Sequence, residues 1–194
     1  MVGDGLMRTF EQDANVYEFP DDCDVMPDFD KESFFARLSG AQAIQAKGCD
    51  IIAIPDEKTL YLIEAKDYSH ENPGEMPPKA SDLARTIARK SFDTLACLMV
   101  GATKAEKETA GFCRKALSCN RIVVCATVEP SRKVDVHDRN DVRYLMQLKE
   151  SLRREARGLV QSRNDIIVTR NADDATKGKF WSSHWAPSHE HRAQ

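Results

Sequence analysis

The chain has 194 residues, 41% hydrophobic and 30% charged, enough for one core of ordinary size, so a single domain is expected over residues 1–170 with a polar tail over 171–194. No apolar run approaches a bilayer span, and the start MVGDGLMRTFEQD lacks the basic and apolar stretches of a signal peptide, so a cytoplasmic protein without a membrane partner is expected. The net charge of −3 divides into an acidic segment, residues 1–32 with ten carboxylates against Arg8 and Lys31, and a mildly basic remainder compatible with a phosphate-bearing partner.

In chain order, a strand is expected around Val16 to Phe19. DFDKESFFARLSG then reads as a short helix, with Asp30 as N-cap, Phe34, Phe35 and Leu38 facing inward and Gly40 as the stop. Two apolar runs, CDIIAI and TLYLI, flank the turn composition PDEK and predict a hairpin. The Pro/Gly-rich loop HENPGEMPP leads into a long helix, SDLARTIARKSFDTLACLMVGA, capped by Ser81. NRIVVCATVEP reads as a buried strand, residues 141–160 as a second strong helix with many basic side chains, and DIIVTR as a last strand. Trp181 and Trp185 in the tail are signs of local packing. The order predicts an α/β fold in which helices flank one mixed central β-sheet. The six cysteines, at 23, 49, 97, 113, 119 and 125, show no CxxC or zinc-ribbon spacing and read as small buried hydrophobes.

The hairpin carries the chemistry. With an odd-numbered connection Ile52 pairs with Leu62 and Asp50 with Glu64, so one face runs Ile52, Ile54, Leu60, Leu62 and ends in Asp50, Glu64 and Lys66. An even-numbered connection puts Asp50 on the other face, and the residues do not choose between them. In the first case two carboxylates repel each other unless a cation sits between them. Carboxylate oxygens suit Mg²⁺, which keeps several waters and is completed by substrate phosphate, and a neighbouring lysine can act on the water or the phosphate. Metal-assisted phosphodiester hydrolysis is the reaction this trio points to.

The stretch KGCDIIAIPDEKTLYLIEAKDYS resembles the core of the PD-(D/E)XK nuclease superfamily, the restriction-endonuclease-like fold, with Asp50 as the first motif acid and Glu64-Ala65-Lys66 as the E-x-K. By element order the resemblance spans residues 29–130. It implies a Mg²⁺-dependent nuclease, with Mn²⁺ as a substitute, acting on DNA in preference to RNA, and a setting in defence or repair. Asp56-Glu57-Lys58 repeats the bare acid-x-lysine pattern but falls in the turn, whereas Glu64 and Lys66 close a four-residue apolar strand. Within the long helix, Leu83, Ile87, Thr94 and Leu98 form an apolar stripe with Lys90 in its middle. Such a lysine either snorkels to the helix edge or reaches a partner, and members of the superfamily often use a polar or basic residue here. Glu32 corresponds loosely to an acid that completes the metal shell in many members, and equally suits a helix N-terminus.

Elsewhere, His184, His189 and His191 lack ligand spacing, and Arg143, Lys149, Arg153, Arg154 and Arg157 fit either a solvated helix face or a phosphate track. There is no Gly-rich phosphate loop and no G-x-S-x-G. The lack of a sequence-reading element implies a homodimer or a separate partner subunit. The rival expectation is a non-catalytic nuclease-fold subunit that binds nucleic acid or a protein.

Overall fold

In a computed structural model, the described residues are 7–39, 45–69, 77–130, 139–173 and 177–187. Gly40, His189 and His191 lie outside them. Eight strands and four helices are described: β1 Met7–Gln12, β2 Asn15–Pro20, β3 Asp24–Pro27, α1 Ser33–Ser39, β4 Ile51–Ile54, β5 Thr59–Asp67, α2 Ala80–Lys104, α3 Lys107–Ser118, β6 Arg121–Glu129, α4 Arg139–Glu155, β7 Ile166–Thr169 and β8 Ser182–Trp185. None of these helices is long and apolar enough to cross a membrane.

The central sheet is mixed, in the order β3-β4-β5-β6-β7. The β3–β4 and β4–β5 pairs are antiparallel, whereas β5–β6 and β6–β7 are parallel. Its strands are runs such as IIAI and VVCATV, buried on both faces, as expected of a sheet covered on both sides. Alternation sorts their side chains. Ile52, Ile54, Leu60 and Leu62 meet Phe34, Phe35 and Leu98 on the helical side, and Val124, Ala126 and Val128 meet Leu83, Ile87, Leu148 and Leu152 there. Ile51, Ala53, Ile63, Ala65, Val123 and Cys125 face the opposite way, onto Tyr17, Phe19 and Trp181.

That opposite face is covered by a second sheet, β1-β2-β8, not by helices. The expectation of one sheet is therefore corrected to two. Val16 to Phe19 do form a strand, but in the smaller sheet, and β7 is not the last strand because β8 pairs antiparallel with β2. Residues after 171, expected as a polar tail, supply Trp181, which is 4% exposed and stacks on Phe19 at 5.9 Å between ring centroids.

The helix after β3 is preceded by a 3-10 turn, Phe29–Lys31, which takes in Asp30, so Asp30 is not its N-cap. The Glu32 carbonyl instead accepts the Ala36 N–H. Phe34, Phe35 and Leu38 pack inward as expected. Helix α2 starts at Ala80 after Lys79, placing Ser81 inside the first turn and not at the cap. Gly101 on α2 is a point of close approach: a Cβ there would sit 2.6 Å from Cys113 Sγ of α3 and 2.8 Å from Phe34 Cζ of α1. Five of the six cysteines are buried and all are free.

Candidate active site

The hairpin has the odd-numbered register. Ile52 faces Leu62 and Ile51 faces Ile63, so continuing one residue outward sets Asp50 against Glu64. Asp50 lies just ahead of β4. Its approach is fixed by Cys49, whose N–H donates to Thr94 Oγ1 on α2 at 2.8 Å, while Thr94 donates to the Lys90 carbonyl at 2.7 Å. The Asp50 carboxylate then turns across the hairpin to accept the Ala65 N–H at 2.8 Å through Oδ2. The stripe predicted on α2 is buried at Leu83, Ile87, Thr94 and Leu98, and Lys90 emerges from it toward the hairpin.

Four expected residues thus meet. Lys90 Nζ donates to Glu64 Oε1 at 2.6 Å and to Asp50 Oδ1 at 3.3 Å. Lys66 Nζ lies 3.1 Å from Glu64 Oε1 and 3.6 Å from Asp50 Oδ2. The Glu64 side chain is fully buried, whereas those of Lys66 and Lys90 retain 26% and 16% exposure, so the cluster reaches solvent through its ammonium groups. Glu64 Oε2 is buried with no hydrogen-bond partner among the described residues. A buried carboxylate oxygen left in this state is costly without a donor or cation.

Burial, followed by the charge of Asp50, pushes the Glu64 carboxyl up to about 7 against the pull of Lys66 and Lys90. For Lys66 and Lys90 burial works against the charged form, but the neighbouring carboxylates outweigh it and hold both ammoniums above the ordinary lysine value. A third carboxylate, unforeseen from the sequence, comes from the small sheet: Asp13 at the β1–β2 turn accepts a hydrogen bond from Lys66 Nζ at 3.2 Å.

Glu32 is not brought to this set. Its carboxylate accepts a hydrogen bond from Thr109 on α3 at 3.2 Å, because the helix it precedes packs toward α3. The second acid-x-lysine copy is spent on the turn, where Asp56 accepts the backbone N–H groups of Lys58 and Thr59 at 2.8 and 2.6 Å. On or just after α4, Arg143, Arg154 and Arg157 are exposed, Lys149 is half-buried and Arg153 pairs with Glu150. His184 is exposed on β8.

A second buried polar network lies at the ends of β6 and β7. Arg170 donates twice to Glu129 Oε2, at 3.2 and 3.1 Å, and the Asn171 N–H donates to Glu129 Oε1 at 2.6 Å. Lys179 donates to Ser183 and to the carbonyls of Arg170 and Asn171. Asn171 also donates to Asn15, tying the small sheet to the large one.

Oxygen donors with one unpartnered buried atom fit a hard divalent cation, which needs only one or two protein carboxylates beside water and phosphate. Among the described residues no set of three or more His, Cys, Asp or Glu side chains has metal-holding geometry. Compared with known proteins, the chain is 45% identical over 89 residues to a cysteine–tRNA ligase from Neisseria meningitidis serogroup A / serotype 4A. That match takes in 43% of this chain and 13% of the ligase. No family model matches, and no solved structure matches.

Proposed function

We propose that the chain is a metal-dependent nuclease with a restriction-endonuclease-like core, hydrolysing phosphodiester bonds in nucleic acid, DNA in preference to RNA. The observation that carries this reading is the meeting of Asp50 and Glu64 with Lys66 and Lys90 at one spot, with Glu64 Oε2 buried and unpartnered. The mixed sheet and the order helix, hairpin, helix, strand support such a core, with α3 added between α2 and β6.

Asp50 and Glu64 are the residues that would hold Mg²⁺ or Mn²⁺. The ion, when bound, supplies charge for a phosphoryl oxygen and lowers the pKa of water. The chain's own residues divide the remaining work. Glu64 must release its proton before it can take part, which its raised pKa places near neutrality. Lys66, kept protonated by its carboxylate neighbours, is a cationic donor for a phosphate oxygen and not a proton acceptor. Lys90 holds Glu64 Oε1 and so leaves Oε2 as the free oxygen. Target choice falls to a second copy or a partner subunit, in a setting of defence against foreign DNA or of repair.

A second reading, a non-catalytic subunit of the same fold, is favoured by one observation. Two ammoniums already pair with both Asp50 and Glu64, so those two carboxylates are neutralised without a metal ion. The test is cleavage of supercoiled plasmid, single-stranded DNA and RNA with Mg²⁺, Mn²⁺ or EDTA, beside Glu64→Ala and Lys66→Ala. The nuclease reading requires metal-dependent cutting that both variants lose. A folded protein that binds DNA equally well with and without Glu64 and never cuts it supports the scaffold.

A further inference from the structure

Lys66 has three N–H donors, and three oxygens lie within 3.2 Å of its nitrogen: Ala65 O at 2.8 Å, Glu64 Oε1 at 3.1 Å and Asp13 Oδ2 at 3.2 Å. Two of these are hydrogen bonds, to Ala65 O and Asp13 Oδ2, and the third is an ion pair, so the three oxygens surround the ammonium and a substrate oxygen competes with them for it. Which of the three contacts opens decides where Lys66 would hold a phosphate oxygen. Ala65 O is the lysine's own backbone neighbour, and Glu64 is fully buried and fixed by Lys90. Asp13 comes from another layer and keeps 28% exposure.

Asp13 and Ala14 form the two-residue connection of the β1–β2 hairpin, a turn type that sets positive φ at both positions. Asp13 and Ala14 both take left-handed backbone, φ 47° and 61°, a conformation that costs alanine about 1 kcal/mol or more. Asn15, 2% exposed, clamps the turn by donating to the Asp13 carbonyl at 2.7 Å and to Asp67 on β5 at 3.3 Å. An unfavourable backbone is thus held in place beside the end of β5, with one acid aimed at Lys66.

We propose that the Asp13 carboxylate is a built-in stand-in for a substrate phosphate oxygen on Lys66, a latch that the incoming anion displaces. This inference rests on the reading of Lys66 as a phosphate donor. Asp13 is a positioning residue: it keeps the ammonium aligned when no substrate is bound and competes with any anion for the same donor.

The test is binding in EDTA, where a metal-dependent enzyme does not cut. Fluorescence anisotropy of a labelled DNA duplex and of an RNA strand, with inorganic phosphate as competitor, is compared in wild type, Asp13→Asn, Asp13→Gly and Glu11→Gln, each with and without Lys66→Met. Direct phosphate binding is followed by calorimetry. Asn and Gly both tolerate the left-handed turn, so at least one Asp13 variant keeps the fold, checked by circular dichroism. The Asp13 variants should bind anions about fivefold tighter, the scale of one partly exposed ion pair. Glu11→Gln, an equal charge change on the same hairpin, should not, and Lys66→Met should abolish the gain. No gain, an equal gain in Glu11→Gln, or a gain that survives Lys66→Met overturns the latch. A gain for inorganic phosphate with no binding of DNA or RNA keeps the latch and removes the nucleic-acid reading.

Discussion

The two buried ionic networks close differently. Around Glu129 both carboxylate oxygens are taken, one by the Arg170 guanidinium and one by the Asn171 N–H. Around Glu64 one oxygen carries two ammoniums and the other has no partner among the described residues. Among the described residues the leftovers near Glu129 are neutral or spare groups, one N–H edge of the five-donor Arg170 fork and the amide oxygen of Asn171, while the leftover at Glu64 is half a carboxylate. A network that occupies both oxygens of its buried carboxylate holds the fold, and one that leaves a carboxylate oxygen open beside two partly exposed ammoniums has room for a ligand.

The largest expected effect tests the first half of that contrast. Arg170→Ala leaves Glu129 buried without its counter-ion and should cost about 3–5 kcal/mol in urea unfolding. Lys66→Met, at a partly exposed ammonium, should cost clearly less. Equal losses would erase the distinction between the two networks.

The next effect is a pH dependence. The Glu64 carboxyl is raised from 4.5 to about 7, so between those values the folded state holds more protons than the unfolded one. Stability from this group is therefore greatest below its unfolded pKa and falls as pH rises through about 7. Glu64→Gln lacks this titration. Its stability relative to wild type should improve by up to a few kcal/mol from pH 4.5 to 8, whereas Glu129→Gln should show a smaller improvement. Urea titrations across that range decide it; a flat difference for Glu64→Gln would place its carboxyl in an ordinary environment.

Two smaller effects serve as controls. Gly101→Ala overpacks the contact among α1, α2 and α3 and should cost about 1–3 kcal/mol without altering the pH profile. Asp56→Ala removes the acceptor of two turn N–H groups and should cost about 1 kcal/mol while leaving any metal-dependent cutting unchanged. Loss of cutting there would transfer the motif from Glu64-Ala65-Lys66 to the turn copy.

Much of the hairpin half was legible because alternation is local. Ile52, Ile54, Leu60 and Leu62 share a face only in one class of register, and that class also opposes Asp50 to Glu64. Lys90 was legible for the same reason, as a charge at the centre of an apolar stripe. Asp13 was not, because it is one acid among ten in the first 32 residues and reaches Lys66 only through packing of one sheet on the other. Strand β8, SSHW, carries no apolar alternation and is held by β2, some 160 residues away. Helix α3 buries only Ala110, Cys113 and Ala116, whose small side chains give a weak periodic signal next to the charged segment 104–109.

The small sheet has a consequence for the order in which the protein is made. Strands β1 and β2 are synthesised before the large sheet and its helices, and β8, which flanks β2, after them. The helices and the hairpin bearing Asp50, Glu64, Lys66 and Lys90 are synthesised between them. The layer carrying Asp13 therefore gains its third strand only when synthesis has passed Trp185, after every residue of the charged cluster has been made.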